Sequence, residues 1–198
     1  MSATALLLTE HDFVRAAAAL ACSVAAVKAV SEVEAPFGGF DALGRPRILF
    51  EGHKFSKATQ GRYDASHPSI SHARWTRRHY AVGPTPDARN AGEHSRLELA
   101  SSLDRDAALA SASWGKFQIL GANHLACGFP TLQAFINAMY SSEGRHLDAF
   151  VGFVQSEGLD KHLQERRWAL FARGYNGPDY AINRYDTKMA DAYRKFAA

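Results

Sequence analysis

The pattern of apolar and polar positions divides the chain into three parts. The first reads as two helices. Thr9 followed three residues later by Asp12 is a capping-box variant, and Phe13 to Ala21 then supplies strong helix formers. Ser23 can cap a second helix running to about Ala35, where Pro36 and the Gly38-Gly39 pair stop it. The middle part, residues 36–92, holds five of the seven prolines and little helical period. Arg47-Ile48-Leu49-Phe50, after a Gly44-Arg45-Pro46 turn, reads as a short strand, and the rest as long loops with spaced aromatics. A structureless stretch of this length in a compact domain is usually functional. From Glu93 onward the pattern is helical again, with helices expected over 94–103, 105–112, 116–124, 131–142, 144–156, 159–174 and 187–197. Asp104 and Thr131 are the expected caps, and the long helix from Asp160 to Tyr175 places Leu163, Trp168 and Phe171 near one face. The pattern thus predicts a mainly α fold with a loop-rich insertion carrying a small β-hairpin. It predicts one domain over 1–198, without a linker or a separate binding module.

Composition agrees with a folded globular chain: 46% of the 198 residues are hydrophobic and 22% are charged. Two cysteines, Cys22 and Cys127, cannot form a dense disulfide framework. There is no run of about 20 apolar residues, so no membrane span is expected. The Ala-rich text up to Val33 lacks a basic leader and is broken by Glu10, His11, Asp12 and Arg15, so no export signal is expected. The net charge of +3 conceals an uneven distribution. Arg45 to Tyr80 contains 8 Lys/Arg and 2 acids, a local +6, together with His53, His67, His72 and His79. That region should face something anionic.

Candidate chemistry starts from the second helix. At about 100° per residue from Val24, Val27, Val30 and Val33 fall at about 300°, 240° and 180°. Glu34 falls at about 280°, among the valines, whereas Glu32 falls at about 80° beside Lys28, its i−4 neighbour. Glu32 belongs to the solvated face. Glu34 ends an apolar face at a helix C-terminus, where desolvation and the helix dipole both disfavour its anion and raise its pKa. Such a carboxyl suits general acid work near neutral pH, although a helix-end Glu can also swing out to water. Glycosidic cleavage needs a second carboxylate or a positioned water across the bond. The loop region offers Asp41, Glu51 and Asp64. Glu51 is preferred because it follows the apolar strand directly; its bland alternative is a salt bridge to a nearby arginine.

Several motifs in order resemble one family. They are Ala29-Val30-Ser31-Glu32-Val33-Glu34, then Gly38-Gly39-Phe40, Gly44-Arg45-Pro46 and Ile48-Leu49-Phe50-Glu51-Gly52-His53. Ala112-Ser113-Trp114-Gly115-Lys116-Phe117-Gln118-Ile119, Phe171-Ala172-Arg173-Gly174-Tyr175-Asn176-Gly177-Pro178 and Asn183-Arg184-Tyr185-Asp186 follow. The chain is similar to the N-acetylmuramidases of phage endolysins, in the wider lysozyme-like superfamily with goose-type lysozymes and soluble lytic transglycosylases. The resemblance implies Glu34 as the catalytic Glu ending a helix, Gly115 to Gln118 as the Gly-x-x-Gln pattern, and Tyr175-Asn176 as the Tyr-Asn pair. Relatives commonly carry Ser after the catalytic Glu, where this chain has Ala35, which leaves Tyr175 as the expected hydrogen-bond partner of Glu34.

On this basis the expected activity is hydrolysis of the β-1,4 bond between N-acetylmuramic acid and N-acetylglucosamine in peptidoglycan. Glu34 acts as general acid and Glu51 as second carboxylate, with no cofactor or metal. Trp75, Tyr80, Tyr63 and Trp114 offer flat faces to pyranose rings, although core packing is the simpler role for Trp114. Gln118, Tyr175 and Asn176 are expected to bind substrate. The partner is the glycan strand, and the basic loop faces stem peptides or anionic outer-membrane surfaces. A monomer made in the host cytoplasm, reaching periplasmic peptidoglycan after holin-type release, completes the expectation. A lytic transglycosylase on the same scaffold remains open. The rivals of other classes are a metal-dependent peptidase, which lacks an H-E-x-x-H motif here, and a non-catalytic wall-binding module. Nucleic-acid binding through Arg74, Trp75, Arg77, Arg78 and Tyr80 is a minor reading and is not expected.

Overall fold

The computed structural model describes residues 7–34 and 38–198, with Asp179 described by its backbone alone. Ala35 and Pro36, the expected end of the second helix, lie outside the described residues.

Helix α1 (Glu10–Ala19) starts with the expected box: the Thr9 side chain accepts from the Asp12 N–H, and the Asp12 carboxylate accepts from the Thr9 N–H. Helix α2 (Val24–Glu34) starts at Ser23, whose hydroxyl accepts from the Ala26 N–H at 3.2 Å. Ala26, Val27, Ala29 and Val30 are fully buried, and α2 packs along α10 (Tyr185–Ala197). The rotation argument separates the two glutamates as expected. Glu32 is exposed but pairs with Lys195 at 2.6 Å, while Lys28 pairs with Glu10 at 2.7 Å. The expected Lys28–Glu32 pair is therefore not made. The packing of α10 and α1 against α2 brings a better-placed partner to each charge.

The sheet is small and antiparallel, in the order β1 (Ile48–Phe50), β2 (Ala112–Trp114), β3 (Ile119–Leu120). The strand at 48–50 is where it was expected, but its partner comes from 112–114, with Leu49 opposite Ser113. Ile48 and Phe50 point into the core, and the half-buried Leu49 faces the other way. The helix expected over 116–124 is instead β3 followed by a 3₁₀ turn (Gly121–Asn123). The local cause is a tight turn: Gly115 and Gln118 both have positive φ, +68° and +49°.

Three further helices frame this sheet: α3 (Gly52–Ala58), α4 (Pro86–Leu103) and α5 (Arg105–Ala110). Helix α4 starts eight residues before its expected beginning. Thr85 caps it, with the Ala88 N–H donating to the hydroxyl at 3.1 Å, and Pro86 stands in the first turn, where its missing N–H costs nothing. Asp104 and Thr131 cap α5 and α6 (Leu132–Met139) as expected. Helix α7 (Glu143–Ser156) runs through the centre, with Leu147, Ala149, Phe150 and Val154 fully buried. The long helix expected over 159–174 is two, α8 (Asp160–Gln164) and α9 (Trp168–Asn176), broken where Arg166 takes φ +54°. Phe150 meets Phe117, Phe171 and Tyr175, which ties α7, the β2–β3 turn and α9 into one core beneath Glu34.

Candidate active site

Glu34 is the last residue of α2, one turn beyond the buried Ala29, Val30 and Ser31. Burial pushes its carboxyl up from 4.5 to about 7, against the opposing effect of one hydrogen bond from Asn176. In that bond Nδ2–H donates to Glu34 Oε1 at 2.9 Å. Asn176, at the end of α9, is therefore the side chain that holds the carboxyl. Tyr175 was the expected partner, but its hydroxyl donates to the Phe117 carbonyl at 2.9 Å. One step along the helix turns the tyrosine inward among Phe150, Phe153 and Phe171, with Asn176 left at the surface beside Glu34. Tyr175 still senses Glu34, because burial and then the Glu34 charge push its hydroxyl far above its ordinary range.

Glu34 stands between two recesses. One, of about 420 Å³, is lined by Glu34, Leu49, Tyr80, Glu93, Lys116 and Gln118 among others. The other, of about 320 Å³, is lined by Glu34, Gln118, Asn123, Tyr175, Asn176 and Tyr185 among others. Glu34 and Gln118 belong to both, so a chain-like ligand can cross from one to the other over the Glu34 carboxyl. Gln118 is exposed, and its amide donates to the Gly115 carbonyl at 2.9 Å and the Arg47 carbonyl at 3.3 Å. Its positive φ and these two bonds fix the β2–β3 turn against β1.

Glu51 sits one residue beyond β1 and precedes α3, capping it only by its carbonyl. It is not among the residues lining either recess. It reaches the larger one through Tyr80, which does line it. The Tyr80 hydroxyl donates to Glu51 Oε2 at 2.6 Å and accepts from the Trp75 indole N–H at 3.1 Å. His53 Nδ1 lies 3.4 Å from the same oxygen. Oε1 accepts no hydrogen bond among the described residues. The alternative reading of Glu51, a salt bridge to an arginine, finds no such pair among the described residues.

The other loop carboxylates are fully engaged. Asp41 accepts from the Leu43 and Arg45 N–H groups, the Arg45 guanidinium and the Asn90 amide, the local turn role expected of it. Asp64 accepts from Ser56 and Ser71. Glu93, which sequence patterning did not single out, is buried and lines the larger recess. It accepts from the Phe50 N–H, the Ala81 N–H and Arg96, so it ties β1 to the 80–81 loop. It was hidden because the first half of α4 read as loop.

The aromatic candidates separate clearly. Trp75 is 57% exposed, with the Arg77 guanidinium over its ring. Tyr80 stands at the lip. Trp114 is corrected: at 1% exposure, with its indole N–H donating to the Leu109 carbonyl, it has no face left for a sugar. Its strand alternation turns it into the core. Tyr63 stacks on Phe55 and donates to the Leu103 carbonyl, inside the lobe rather than in a recess. Among the described residues no group of three or more His, Cys, Asp or Glu is arranged to hold a metal ion. No single described helix is long and apolar enough to cross a membrane.

Comparison with known proteins identifies the family. The profile of the N-acetylmuramidase family (Muramidase) matches residues 23–197, a span that includes Glu34, Glu51, Gln118 and Asn176. Among solved structures, the crystal structure of Burkholderia AP3 phage endolysin is similar, with a TM-score of 0.87 and 38% identity. The match covers 96% of this chain and 71% of that one. No curated protein matches. With the family profile over almost its whole length and a mainly helical, lysozyme-like architecture, the chain belongs to the N-acetylmuramidases, glycoside hydrolases of the lysozyme type.

Proposed function

We propose that the protein is an endolysin that hydrolyses the β-1,4 bond between N-acetylmuramic acid and N-acetylglucosamine in peptidoglycan, with Glu34 as the general acid. The observation that carries this is the Glu34 carboxyl. It lies between two recesses, it is held by Asn176, and burial keeps its proton near pH 7. A glycan strand crossing both recesses brings its glycosidic oxygen to that proton. Protonation makes the departing sugar a better leaving group while positive charge builds on the other ring.

Glu51 is the second carboxylate, activating a water or stabilising the oxocarbenium-like transition state. Its Oε1 is left without a hydrogen bond among the described residues, whereas Asp41, Asp64 and Glu93 are spent on the fold. Tyr80 holds its other oxygen. Gln118 and Asn176 hydrogen-bond the sugar's N-acetyl and hydroxyl groups, and Trp75 and Tyr80 give the strand a flat apolar lip. Arg74, Arg77 and Arg78 are exposed beside that lip without an ion pair among the described residues. They face the carboxylates of the stem peptides. The chain works as a single catalytic domain and a monomer. It is made in the host cytoplasm and reaches the wall after holin-type release.

Digestion of purified peptidoglycan followed by mass spectrometry tests the reaction. Disaccharide products ending in reducing N-acetylmuramic acid are expected. Anhydro-muramic ends would make the protein a lytic transglycosylase, and intact glycan with cut peptides would remove the glycosidase reading.

A further inference from the structure

Two buried polar side chains on α7 have no part in the chemistry described above. Glu143, in the first turn, is 3% exposed, and His146, one turn later, is 1% exposed. Both reach up to the backbone that borders the Glu34 recess. Glu143 Oε1 accepts from the Gly39 N–H at 2.5 Å, and Oε2 accepts from the Leu8 N–H at 3.2 Å and lies 3.7 Å from the Lys116 ammonium. His146 Nδ1 faces the Lys116 N–H at 3.0 Å, and Nε2 faces the Met139 carbonyl at 2.7 Å. These partners dictate one tautomer: Nδ1 accepts, and Nε2 carries the proton and donates. Burial supports it by holding the imidazole's pKa down to about 4, so the ring is neutral wherever the enzyme works near neutral pH. The charged groups acting on it are Glu143 from its own helix and Lys116 from the β2–β3 turn.

The glycines complete the arrangement. A Cβ on Gly39 would lie 2.6 Å from His146 Nδ1, and one on Gly115 would lie 2.8 Å from the same atom. Both backbone segments therefore rest directly on the imidazole, with Phe40 stacked on it at 4.9 Å between centroids. Gly38, Gly115 and Lys116 line the larger recess. One segment lies just after Glu34 in sequence, and the other leads into Gln118.

We propose that Glu143 and His146 are positioning residues, which lock the 38–40 segment and the Gly115–Lys116 turn onto α7 and so set the enclosure of the Glu34 carboxyl. Burial of two polar groups is costly unless every bond is made, and here one bond from each ends on a segment that walls the recess, Glu143 on Gly39 and His146 on Lys116. The inference rests on Glu34 being the general acid. Loosening either segment should admit water to Glu34, lower its pKa and misplace it by a fraction of an ångström.

The test is Glu143→Ala, with Glu143→Gln as the conservative variant, because the amide oxygen can still accept from Gly39. Carboxyl carbon-13 NMR titrates Glu34 directly, and steady-state kinetics on peptidoglycan are run across pH. Expected for folded Glu143→Ala is a Glu34 titration lowered by about one pH unit. The alkaline limb of kcat should move with it, and kcat should fall about 10-fold or more with KM within about two-fold. Glu143→Gln should recover most of both. Should Glu143→Ala fail to fold, Gly39→Ala, which pushes the segment off His146 while leaving Glu143 in place, should give the same shift. An unmoved Glu34 titration with kcat as in the parent overturns the proposal, as does a loss that only follows the unfolded fraction. If instead the parent's alkaline limb does not coincide with its own Glu34 titration, it is the assignment of the acid that fails.

Discussion

The two carboxylates assigned to catalysis sit in opposite surroundings. Glu34 ends a helix with one face fully buried at Ala26, Val27, Ala29 and Val30, has one amide donor, and keeps its proton to about pH 7. Glu51 follows a strand, beside a basic loop, and receives a tyrosine hydroxyl that is itself backed by an exposed tryptophan. The difference is chemical. Desolvation favours a neutral carboxyl that can give a proton, whereas Glu51 keeps Oε1 free of hydrogen bonds among the described residues. In the proposed reaction the helical wall supplies the acid, and the loop wall supplies the second carboxylate and the basic lip.

The strongest way to break this comparison is Glu34→Gln. Loss of the general acid should lower peptidoglycan turnover by about 10³-fold, within the usual range for such groups, with unchanged circular dichroism. The same variant sharpens the burial argument. The folded pKa of Glu34 lies above its unfolded value, so its contribution to stability is fully present below pH 4.5 and is lost as pH rises through 7. Glu34→Gln should therefore melt above the parent at pH 8, by roughly 1–3 kcal/mol, and with it at pH 4. A variant no more stable at pH 8 would mean that Glu34 is not desolvated. Glu32→Gln, on the solvated face, should leave turnover within about two-fold.

Next in size is Glu51→Gln, expected to reduce kcat by about 10²-fold. Full activity there would transfer the second role to a water alone or to Glu93 across the same recess. Tyr80→Phe should reduce kcat several-fold while leaving the fold unchanged, because the Oε2 donor is lost and Trp75 loses its acceptor. Asn176→Ala works in the opposite electrostatic direction. Its hydrogen bond lowers the Glu34 pKa, so removing it should move the alkaline limb of the pH–rate profile upward. The smallest effect belongs to the basic lip. Replacing Arg74, Arg77 and Arg78 by Gln should raise KM a few-fold on intact peptidoglycan at low salt, and hardly at all on neutral chito-oligosaccharides. Equal loss on both substrates would assign these charges to folding.

Local signals in the chain proved legible. Thr9 with Asp12, Ser23, Asp104 and Thr131 cap the helices they precede, because a cap is a contact within three residues. The opposite fates of Glu32 and Glu34 follow from helical rotation alone. Pairings between distant segments were not legible. Nothing near Ile48–Phe50 announces that its partner is Ala112–Trp114, and that pairing turns an expected helix at 116–124 into a strand. Left-handed residues that are not glycine, Gln118 and Arg166, carry no warning in their side chains, yet one makes the tight turn and the other divides a helix. Thr85-Pro86 was a valid start signal that the surrounding prolines masked. Glu143 and His146 escaped notice because an acid and a histidine at i, i+3 look like an ordinary polar face until the glycine backbones they carry are seen.

The central claim is that burial, not a metal or a nucleophile, makes Glu34 the acid, and titrating that one carboxyl tests it most directly. Carbon-13 NMR of the Glu34 carboxyl should give a midpoint near 7, matching the alkaline limb of kcat/KM on peptidoglycan. A Glu34 midpoint near the ordinary 4.5 with activity still falling near 7 would contradict the account and place the working acid elsewhere.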